Sequence, residues 1–539
     1  MVFDWDETTG RQLSTIGQRM TCEQWEERYG LASDFTRAMF DLYWDGSGYG
    51  AVGFRAMPGW FGNCDASRAD WTPERRRHVR AQLVWIAHSC AADANFPHRS
   101  MLSGPPNFIA DVKQAIPLAC AVCPNHPHAR QWRDAYMEFL RTWIDTCQRD
   151  PDREHNAIGG RWTENIACYS GTSLRATLHA DEALHKFDGT DLFGNPRMQA
   201  WISWIINAMM SPHYGVRLVP PEGAHSRTYE PNEGRHSHRD SLSEIVTRLQ
   251  RTAPELGQQL NWVLTNGREG SRPDLKSVLI ADYGPVLRHD FGGPHEAYLH
   301  LMQIAGPWNY RWGGGDSVLC YGSRGRVWSC NTMEEAGDEW NLDNVTSFTV
   351  DGKGLGRRPT DQVLYDFDFA QFYRALGTGE SKCRARAMMM LRDDCIVLHD
   401  DVDGDAAGQF VWASVLDVPE IYQLRPGVEY VEDTSTEPGA LRPGEFPARI
   451  CNIRRYTGTG DFLTVVAPKA LRRRFSLAGL MKRRQKGGGS RCTGPGPRDS
   501  FNPIDNHRLC WYYHLLLIRA NLSRGAFATA AFASTGKAP

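Results

Sequence analysis

The chain has 539 residues, of which 41% are hydrophobic and 23% charged, and this ordinary globular usage excludes global disorder. Its 61 basic and 63 acidic side chains leave a net charge of −2. No strong field of one sign therefore draws it to nucleic acid or to an anionic membrane, and we expect neither as a partner. A chain of this length normally divides into two or three domains.

The sequence shows no export or membrane segment. It contains no run of about 18 apolar residues, and its first residues lack the basic-then-apolar order of a signal peptide. A leader could have been removed before this numbering begins, so we expect a periplasmic or secreted location in that case and a cytoplasmic one otherwise. The fourteen cysteines are spread thinly and form no small disulfide framework.

The first half predicts amphipathic helices. Thr72-Pro73-Glu74 combines an N-cap residue, a first-turn proline and an early acid, and it opens a helix toward Cys90. Further along, apolar residues recur at steps of three and four, which puts each group on one buried face. The groups are Trp132, Tyr136, Phe139, Leu140, Trp143, Ile144 and Cys147; Ile166, Tyr169, Leu174, Leu178 and Leu184; Met198, Trp201, Ile202, Ile205 and Met209; and Leu242, Ile245, Leu249 and Leu256. Six or more helices therefore follow one another.

Short β-rich runs replace this pattern after about residue 275. The runs are Ser317 to Tyr321, Ser347 to Val350, Cys395 to Leu398 and Phe410 to Val415. Asp351-Gly352 and Asp403-Gly404 lie between such runs, where the dipeptide favours the positive φ angles of a tight hairpin. Helices followed by antiparallel strands predict an α+β multidomain chain.

The last seventy residues differ in composition from the rest. A basic, glycine-rich stretch runs from Arg472 to Gly489, and apolar residues return from Trp511 to Ile518. Such a stretch buries too little apolar area to offset its ordering. We therefore expect residues 471–539 to be a basic, Gly-rich loop followed by terminal strands.

Three segments together resemble the heparinase II/III-like polysaccharide lyases. They are Ser103-Gly104-Pro105-Pro106-Asn107-Phe108, followed by His126-Pro127-His128; Gly159-Gly160-Arg161-Trp162-Thr163-Glu164-Asn165 with Tyr169 one turn later; and Gly284-Pro285-Val286-Leu287-Arg288, continuing through Glu296 to Asp316-Ser317 and Leu319-Cys320-Tyr321-Gly322. The resemblance implies an N-terminal (α/α) toroid over residues 1–275 and an antiparallel β-sandwich over residues 276–470. It also implies cleavage of an acidic, uronate-containing glycan by β-elimination, which requires no metal or organic cofactor.

One part of the family pattern is missing. The family usually carries a histidine-rich stretch just before the aspartate, but the corresponding stretch here, Asn309 to Asp316, contains no histidine. Neither the histidine's part in catalysis nor the zinc site of some relatives has a counterpart there. The site could be remodelled, with Tyr310 supplying the acid or base, or it could have lost its activity.

β-Elimination removes the proton next to a carboxylate and expels the oxygen on the adjoining carbon, so the site must neutralise that carboxylate and supply a base and an acid. The resemblance places Asn165 in the cleft, where its amide could neutralise the carboxylate. Tyr169 would share its helix face, and Glu164 could orient neighbours or bind sugar hydroxyls. A helix-capping Asn165 and a core Tyr169 are the structural alternatives.

The loop from Pro220 to Tyr229 combines a histidine, an arginine and a tyrosine. Tyr229 matches the family's catalytic tyrosine by its order in the chain, with Tyr214 in reserve. His225 could act as the base or bind the carboxylate, and Arg227 could lower the pKa of the tyrosine or hold an acidic sugar. A polar, solvent-facing turn is the alternative.

Substrate contacts are expected from the entry to the sandwich. Arg311 would help to neutralise the carboxylate, Trp312 would stack on a sugar ring, and Asp316 and His236 would bind substrate. His236 and His238 form an HxH pair, but two ligands pointing to different helix faces do not make a metal site.

One cysteine and histidine set resembles a zinc site in its composition. Cys120, Cys123, His126 and His128 are close in sequence, but prolines interrupt the set. We therefore expect core cysteines there.

Two other functions fit the same residues. A glycoside hydrolase could use a carboxylate pair among Glu164, Glu222, Glu230 and Asp316, separated by about 5 to 10 Å. A glycan-binding relative could have kept its aromatic residues and lost its catalytic groups. The polymer, endo or exo action and the oligomeric state are left open by the sequence.

Overall fold

The computed structural model describes residues 69–91, 106–166, 169–220, 238–303, 317–330, 345–355, 359–378, 382–391, 395–414, 418–435 and 452–468. All of these belong to one compact unit that spans residues 1–472. The predicted basic loop and terminal strands, 471–539, lie outside the described residues.

Eight α-helices lie within the described ranges before residue 265. They are α1 (Pro73–Ala91), α2 (Pro106–Lys113), α3 (Ala115–Val122), α4 (Ala129–Cys147), α5 (Tyr169–Asp188), α6 (Pro196–Ala208), α7 (His238–Thr252) and α8 (Pro254–Leu264). None of these helices combines the length and the apolar character needed to cross a bilayer.

Local sequence explains where several helices begin. Helix α1 begins at Pro73, as the capping pattern predicts, and α6 begins after Asn195, whose side chain accepts a hydrogen bond from the backbone N–H of Arg197. The seven apolar residues expected on one face of α4 are all buried.

The prediction of one helix from Leu242 to Leu256 was wrong. Helix α7 ends at Thr252, and Leu256 lies on α8. Pro254 opens α8, and the preceding Ala253 adopts φ −148° and ψ 68°. A residue before proline is pushed out of the α region, which breaks the run.

The strands form three larger sheets and one short hairpin. The strands are β1 (Ala157–Ile158), β2 (Pro212–His213), β3 (Val216–Arg217), β4 (Val278–Ile280), β5 (Gly284–His289), β6 (Ala297–Met302), β7 (Ser317–Ser323), β8 (Arg326–Cys330), β9 (Ser347–Val350), β10 (Thr360–Phe367), β11 (Ala370–Leu376), β12 (Cys383–Leu391), β13 (Ile396–Val402), β14 (Ala407–Ser414), β15 (Glu420–Gln423), β16 (Glu429–Ser435), β17 (Asn452–Thr459) and β18 (Phe462–Ala467). The first sheet has the order β1-β4-β5-β6-β7-β8, the second β10-β11-β12-β13-β18-β15 and the third β16-β17-β14-β9, while β2 pairs with β3. Among the strands of the described ranges, every pair is antiparallel except β1 with β4.

One of the two turn predictions is confirmed. Asp351 and Gly352 have φ angles of 52° and 71°, and the flanking Val350 and Lys353 exchange both backbone hydrogen bonds, as in a two-residue hairpin turn. The hairpin expected at Asp403-Gly404 was wrong. There β13 pairs with β12 and β18, whereas β14 pairs with β9 and β17 in another sheet, so this turn passes the chain between sheets.

The first sheet lies between the helices and the other two sheets. Along β6, Tyr298 and Met302 join the core formed with the helices, whereas Leu299 and Leu301 join a second core shared with the other sheets. Alternate residues of a strand face opposite sides, which explains this division. The mixed helix and antiparallel-sheet class is therefore confirmed, and the closed toroid stays a prediction.

The proposed boundary at residues 275 and 276 falls between α8 and β4. Helices give way to strands at this point in the chain. However, β1, which lies in the helical half, pairs with β4 at the edge of the first sheet. The helical half thus contributes a strand to the sheet on which it packs.

Candidate functional site

Two of the three segments that carry the family resemblance contact each other, and the second also contacts the residues just before the third. The backbone N–H of Asn107, in the first segment, donates to Oε1 of Glu164 in the second at 3.2 Å. Arg161 of the second segment donates to the backbone oxygen of Asp282, just before the third, at 2.6 Å, and its guanidinium lies 5.2 Å from the ring centre of Tyr283. Residues far apart in sequence therefore form one junction between the helices and the first sheet.

A glycine allows the second segment to reach this junction. Gly160 has a φ angle of 93°, and a Cβ atom placed on it would lie 2.2 Å from the backbone oxygen of Ala200. Only glycine adopts that conformation readily and leaves room for so close an approach to α6. The glycine pair in the motif thus has a backbone role.

Glu164 is enclosed at the centre of the junction, with 1% of its surface exposed. Besides Asn107, Nε1 of Trp162 and Oγ of Ser173 donate to its carboxylate, at 3.2 and 3.0 Å. Burial raises the pKa of Glu164 from 4.5 to about 7, against the effect of these three hydrogen bonds.

Of the roles expected for Glu164, this arrangement suits the orientation of neighbouring residues better than sugar binding or hydrolysis. Its two oxygens hold the first turn of α2, the motif tryptophan and α5, so Glu164 orients its neighbours. A glycosidase carboxylate must face the sugar ring. The carboxyl of Glu164 is enclosed, so it could join a hydrolase pair only after the atoms that cover it move.

Asn165 lies before the described start of α5 rather than on the helix with Tyr169. Its Oδ1 accepts a hydrogen bond from the backbone N–H of Tyr169 at 3.0 Å, and its backbone oxygen accepts one from Ser170 at 3.0 Å. The side chain therefore caps the helix, and it is only 3% exposed. Tyr169 is half-buried.

A buried tryptophan cluster supports the motif from behind. The rings of Trp162 and Trp201 stack with their centres 3.9 Å apart, and Trp143 meets Trp162 edge-on at 4.5 Å. Nε1 of Trp201 donates to Oγ of Ser170 at 3.1 Å. Because all three rings are buried, they fix the junction and do not present a face to a sugar.

The first sheet contributes buried polar residues for which the sequence assigned no role. Nη2 of Arg288 donates to the backbone oxygens of Asn207 and Met209 at the end of α6, at 2.6 and 2.5 Å. Such carbonyls have no partner within their own helix. Tyr298 adds a hydrogen bond from its hydroxyl to the oxygen of Ala208 at 2.8 Å. Alternation of Tyr298 and His300 with apolar residues along β6 was the available signal.

His300 is the buried histidine of this interface. Its Nε2 lies 3.2 Å from the backbone oxygen of Tyr283 and its Nδ1 lies 3.3 Å from the hydroxyl of Tyr298. Burial lowers its pKa to about 3, so the ring is neutral at neutral pH. It lies two residues before the end of β6 at Met302, and the histidine-free stretch begins seven residues after that strand, at Asn309.

The other candidate site residues lie outside the described residues. They are Tyr229, His225, Arg227, His236, Tyr310, Arg311, Trp312 and Asp316, together with the hydrolase candidates Glu222 and Glu230. Gln303, the last described residue before the segment that holds Tyr310, lies at the junction, because its backbone N–H donates to the backbone oxygen of Tyr283 at 3.1 Å. The roles of these residues stay predictions.

The cysteine and histidine set has the character of a packed core. Cys120 and Cys123 are buried, and the Cys120 thiol donates to the oxygen of Ala129 at 3.3 Å. The ring of His126 stacks on Trp132 with the centres 4.4 Å apart. Within the described ranges, no three His, Cys, Asp or Glu side chains are grouped to hold a metal ion.

Known structures resemble this fold at low sequence identity. A heparinase III structure aligns with a TM-score of 0.58 and 12% identity, covering 83% of this chain and 76% of that one. The heparan sulfate lyase HepC from Pedobacter heparinus aligns with a TM-score of 0.53 and 12% identity, covering 84% and 78%. No family model matches the chain, and no curated protein does. The two structural alignments show that the chain has a heparinase-like polysaccharide lyase fold.

Proposed function

We propose that this chain is a polysaccharide lyase that cleaves an acidic, uronate-containing glycan by β-elimination. The observation that carries the proposal is the junction at Glu164 and Arg161, where the first two family-like segments meet beside the start of the third, within a fold similar to heparinase III over 83% of the chain. A fold hosts many activities, so the assignment depends on the chemistry of the site.

Asn165 would neutralise the substrate carboxylate. Because its Oδ1 accepts from the N–H of Tyr169, the amide nitrogen is the group that would donate to an anion. The positive end of the α5 dipole, one turn away, favours negative charge in the same place. Since Asn165 is 3% exposed, a sugar carboxylate reaches it only after the atoms that cover it move.

Tyr229, with His225 or Tyr310, would move the protons. The base takes the proton from the carbon that bears the carboxylate, that electron pair forms the double bond, and the glycosidic oxygen leaves the adjoining carbon with a proton from the acid. Arg227 or Arg311 would share the neutralisation of the carboxylate. Tyr can act in both steps when neighbouring cations lower its pKa.

The other candidate residues would hold the polymer. Trp312 would stack on a sugar ring, Asp316 and His236 would bind its hydroxyl groups, and half-buried Tyr169 would line the cleft. Glu164 would position Asn165 through α2 and α5. The mechanism uses no metal or organic cofactor, and the partner is an acidic polysaccharide or oligosaccharide.

Incubation with a panel of uronate polysaccharides tests the proposal. The expected result is ultraviolet absorbance from unsaturated chain ends, which grows in step with new reducing ends. New reducing ends without that absorbance would identify a hydrolase instead. Saturable binding without either product would identify a glycan-binding protein, and both results would refute the lyase.

A further inference from the structure

Two neighbouring hairpins present an exposed tyrosine beside two arginines. Tyr214 lies in the turn between β2 and β3 and is 51% exposed. Its backbone N–H donates to the oxygen of Gly325, in the turn between β7 and β8, at 2.8 Å. The guanidinium of Arg326 lies 5.8 Å from the Tyr214 ring centre, and Arg324 and Arg326 are both exposed.

The backbone of Tyr214 is strained without a compensating burial of its ring. Tyr214 and Gly215 have φ angles of 47° and 84°, so the turn has positive φ at both central residues and would favour Asn followed by Gly. For a tyrosine this conformation costs about 1 to 2 kcal/mol. A half-exposed ring regains little of that cost by burial.

The hairpin that carries Tyr214 is held firmly. Nδ1 of the buried His213 accepts a hydrogen bond from the N–H of Val327 at 3.1 Å. On the other side, Nδ2 of Asn266 donates to the oxygen of Gly215 at 2.7 Å. The backbone of this hairpin is therefore already ordered before a ligand contacts the ring, which favours binding.

We infer that Tyr214, Arg324 and Arg326 form a subsite for an anionic sugar unit. The tyrosine ring offers an apolar face, which matches the C–H face of a pyranose. The guanidinium groups bind the carboxylate or sulfate of the same sugar. The chain leaves β3 directly for the segment of Tyr229, so this subsite and the proposed catalytic loop lie on one continuous stretch.

This inference rests on the proposed function and assigns Tyr214 a role other than its reserve role as the catalytic tyrosine. A stacking ring acts through its face, whereas a proton-transferring tyrosine acts through its hydroxyl. Tyr214→Phe and Tyr214→Ala therefore separate the two roles.

Calorimetric titration with hexasaccharides of polygalacturonate and of heparan sulfate tests the subsite, with maltohexaose as the uncharged ligand. It is run in the cold, before turnover alters the ligand. We expect Tyr214→Ala to weaken binding of at least one acidic hexasaccharide about tenfold and Arg326→Ala about threefold, while Tyr214→Phe retains the wild-type affinity. Added salt should reduce the effect of Arg326→Ala.

Matched surface variants provide the controls. Tyr430 is 50% exposed on β16 and the Arg141 side chain is 66% exposed on α4, and Tyr430→Ala and Arg141→Ala should bind like wild type. Tyr214→Gly removes the ring and relieves the backbone strain, so it should lose affinity while its thermal unfolding temperature does not fall. That variant separates loss of binding from loss of folding.

Several results would overturn the subsite. These are wild-type affinity in Tyr214→Ala, equal losses in Tyr430→Ala, equal binding of maltohexaose, or no binding of either acidic ligand to the wild type. Loss of turnover in Tyr214→Phe would return Tyr214 to a proton-transfer role. Binding that depends on Tyr214 without any unsaturated product would uphold the subsite and refute the lyase, so the two failures are distinguishable.

Discussion

Replacing Glu164 by glutamine should remove the pH dependence that this buried carboxyl imposes on stability. The pKa of Glu164 is raised from 4.5 in the unfolded chain to about 7 in the fold because burial penalises its charge. The folded protein therefore keeps a proton that the unfolded chain loses, and wild-type stability falls as pH rises through that interval. The pKa difference corresponds to about 3 kcal/mol.

The glutamine variant carries no charge to bury. Its Oε1 still accepts from the N–H of Asn107, but its NH₂ group faces the indole N–H of Trp162, and that lost hydrogen bond costs about 1 kcal/mol. We expect the variant to be about 1 kcal/mol less stable than wild type near pH 4.5 and about 2 kcal/mol more stable near pH 8.

Urea unfolding of both proteins across this pH range measures the difference. Glu138→Gln is the control, because Glu138 is exposed on α4 and its replacement should change stability by at most about 0.5 kcal/mol at either end. A difference between Glu164→Gln and wild type that stays constant with pH would refute the buried, partly protonated carboxyl.

Two further predictions concern the support of the site. Arg217 and Glu296 form a buried two-bond ion pair at 2.6 and 2.8 Å. Glu296→Ala should therefore lower the free energy of unfolding in chemical denaturation by about 3 to 5 kcal/mol, and the double replacement Arg217→Met with Glu296→Leu should recover most of that loss. An equal loss of stability in the single and the double variant would contradict this prediction. Gly160→Ala should lower the unfolding temperature far more than Gly189→Ala. The two glycines have similar φ angles of 93° and 80°, but a Cβ atom would meet the backbone oxygen of Ala200 at position 160 and nothing within 4 Å at position 189. Equal shifts would show that only φ matters.

Local signals predicted most of the secondary structure. The spacing in α4 was sufficient because a face of seven apolar residues has one way to be buried. The break before Pro254 was missed because the apolar period continues across it. The Asp403-Gly404 error arose because Asp-Gly favours a turn but does not specify which strand the following strand pairs with.

The candidate site was less accessible from the sequence because its contacts are tertiary. Glu164 was selected for its neighbours in the motif, but its contact with Asn107 crosses 57 positions, and no local pattern encodes such a distance. The pair of Arg217 and Glu296 crosses 79 positions. His300 was missed because a buried, neutral histidine in a strand looks like any polar residue in an alternating run.

The central claim is that Asn165 neutralises the substrate carboxylate. It is tested most directly by comparing the formation of unsaturated ends by Asn165→Asp and by wild type on the same uronate polymer. Aspartate keeps an oxygen to accept from the N–H of Tyr169, so the helix cap should be retained, and urea unfolding of both proteins checks that the variant is folded under the assay conditions. It replaces the amide donor by a negative charge opposite the substrate carboxylate, and we expect turnover to fall by a factor of about 100 or more. Wild-type turnover in this variant would show that Asn165 only caps α5 and would contradict the proposed mechanism.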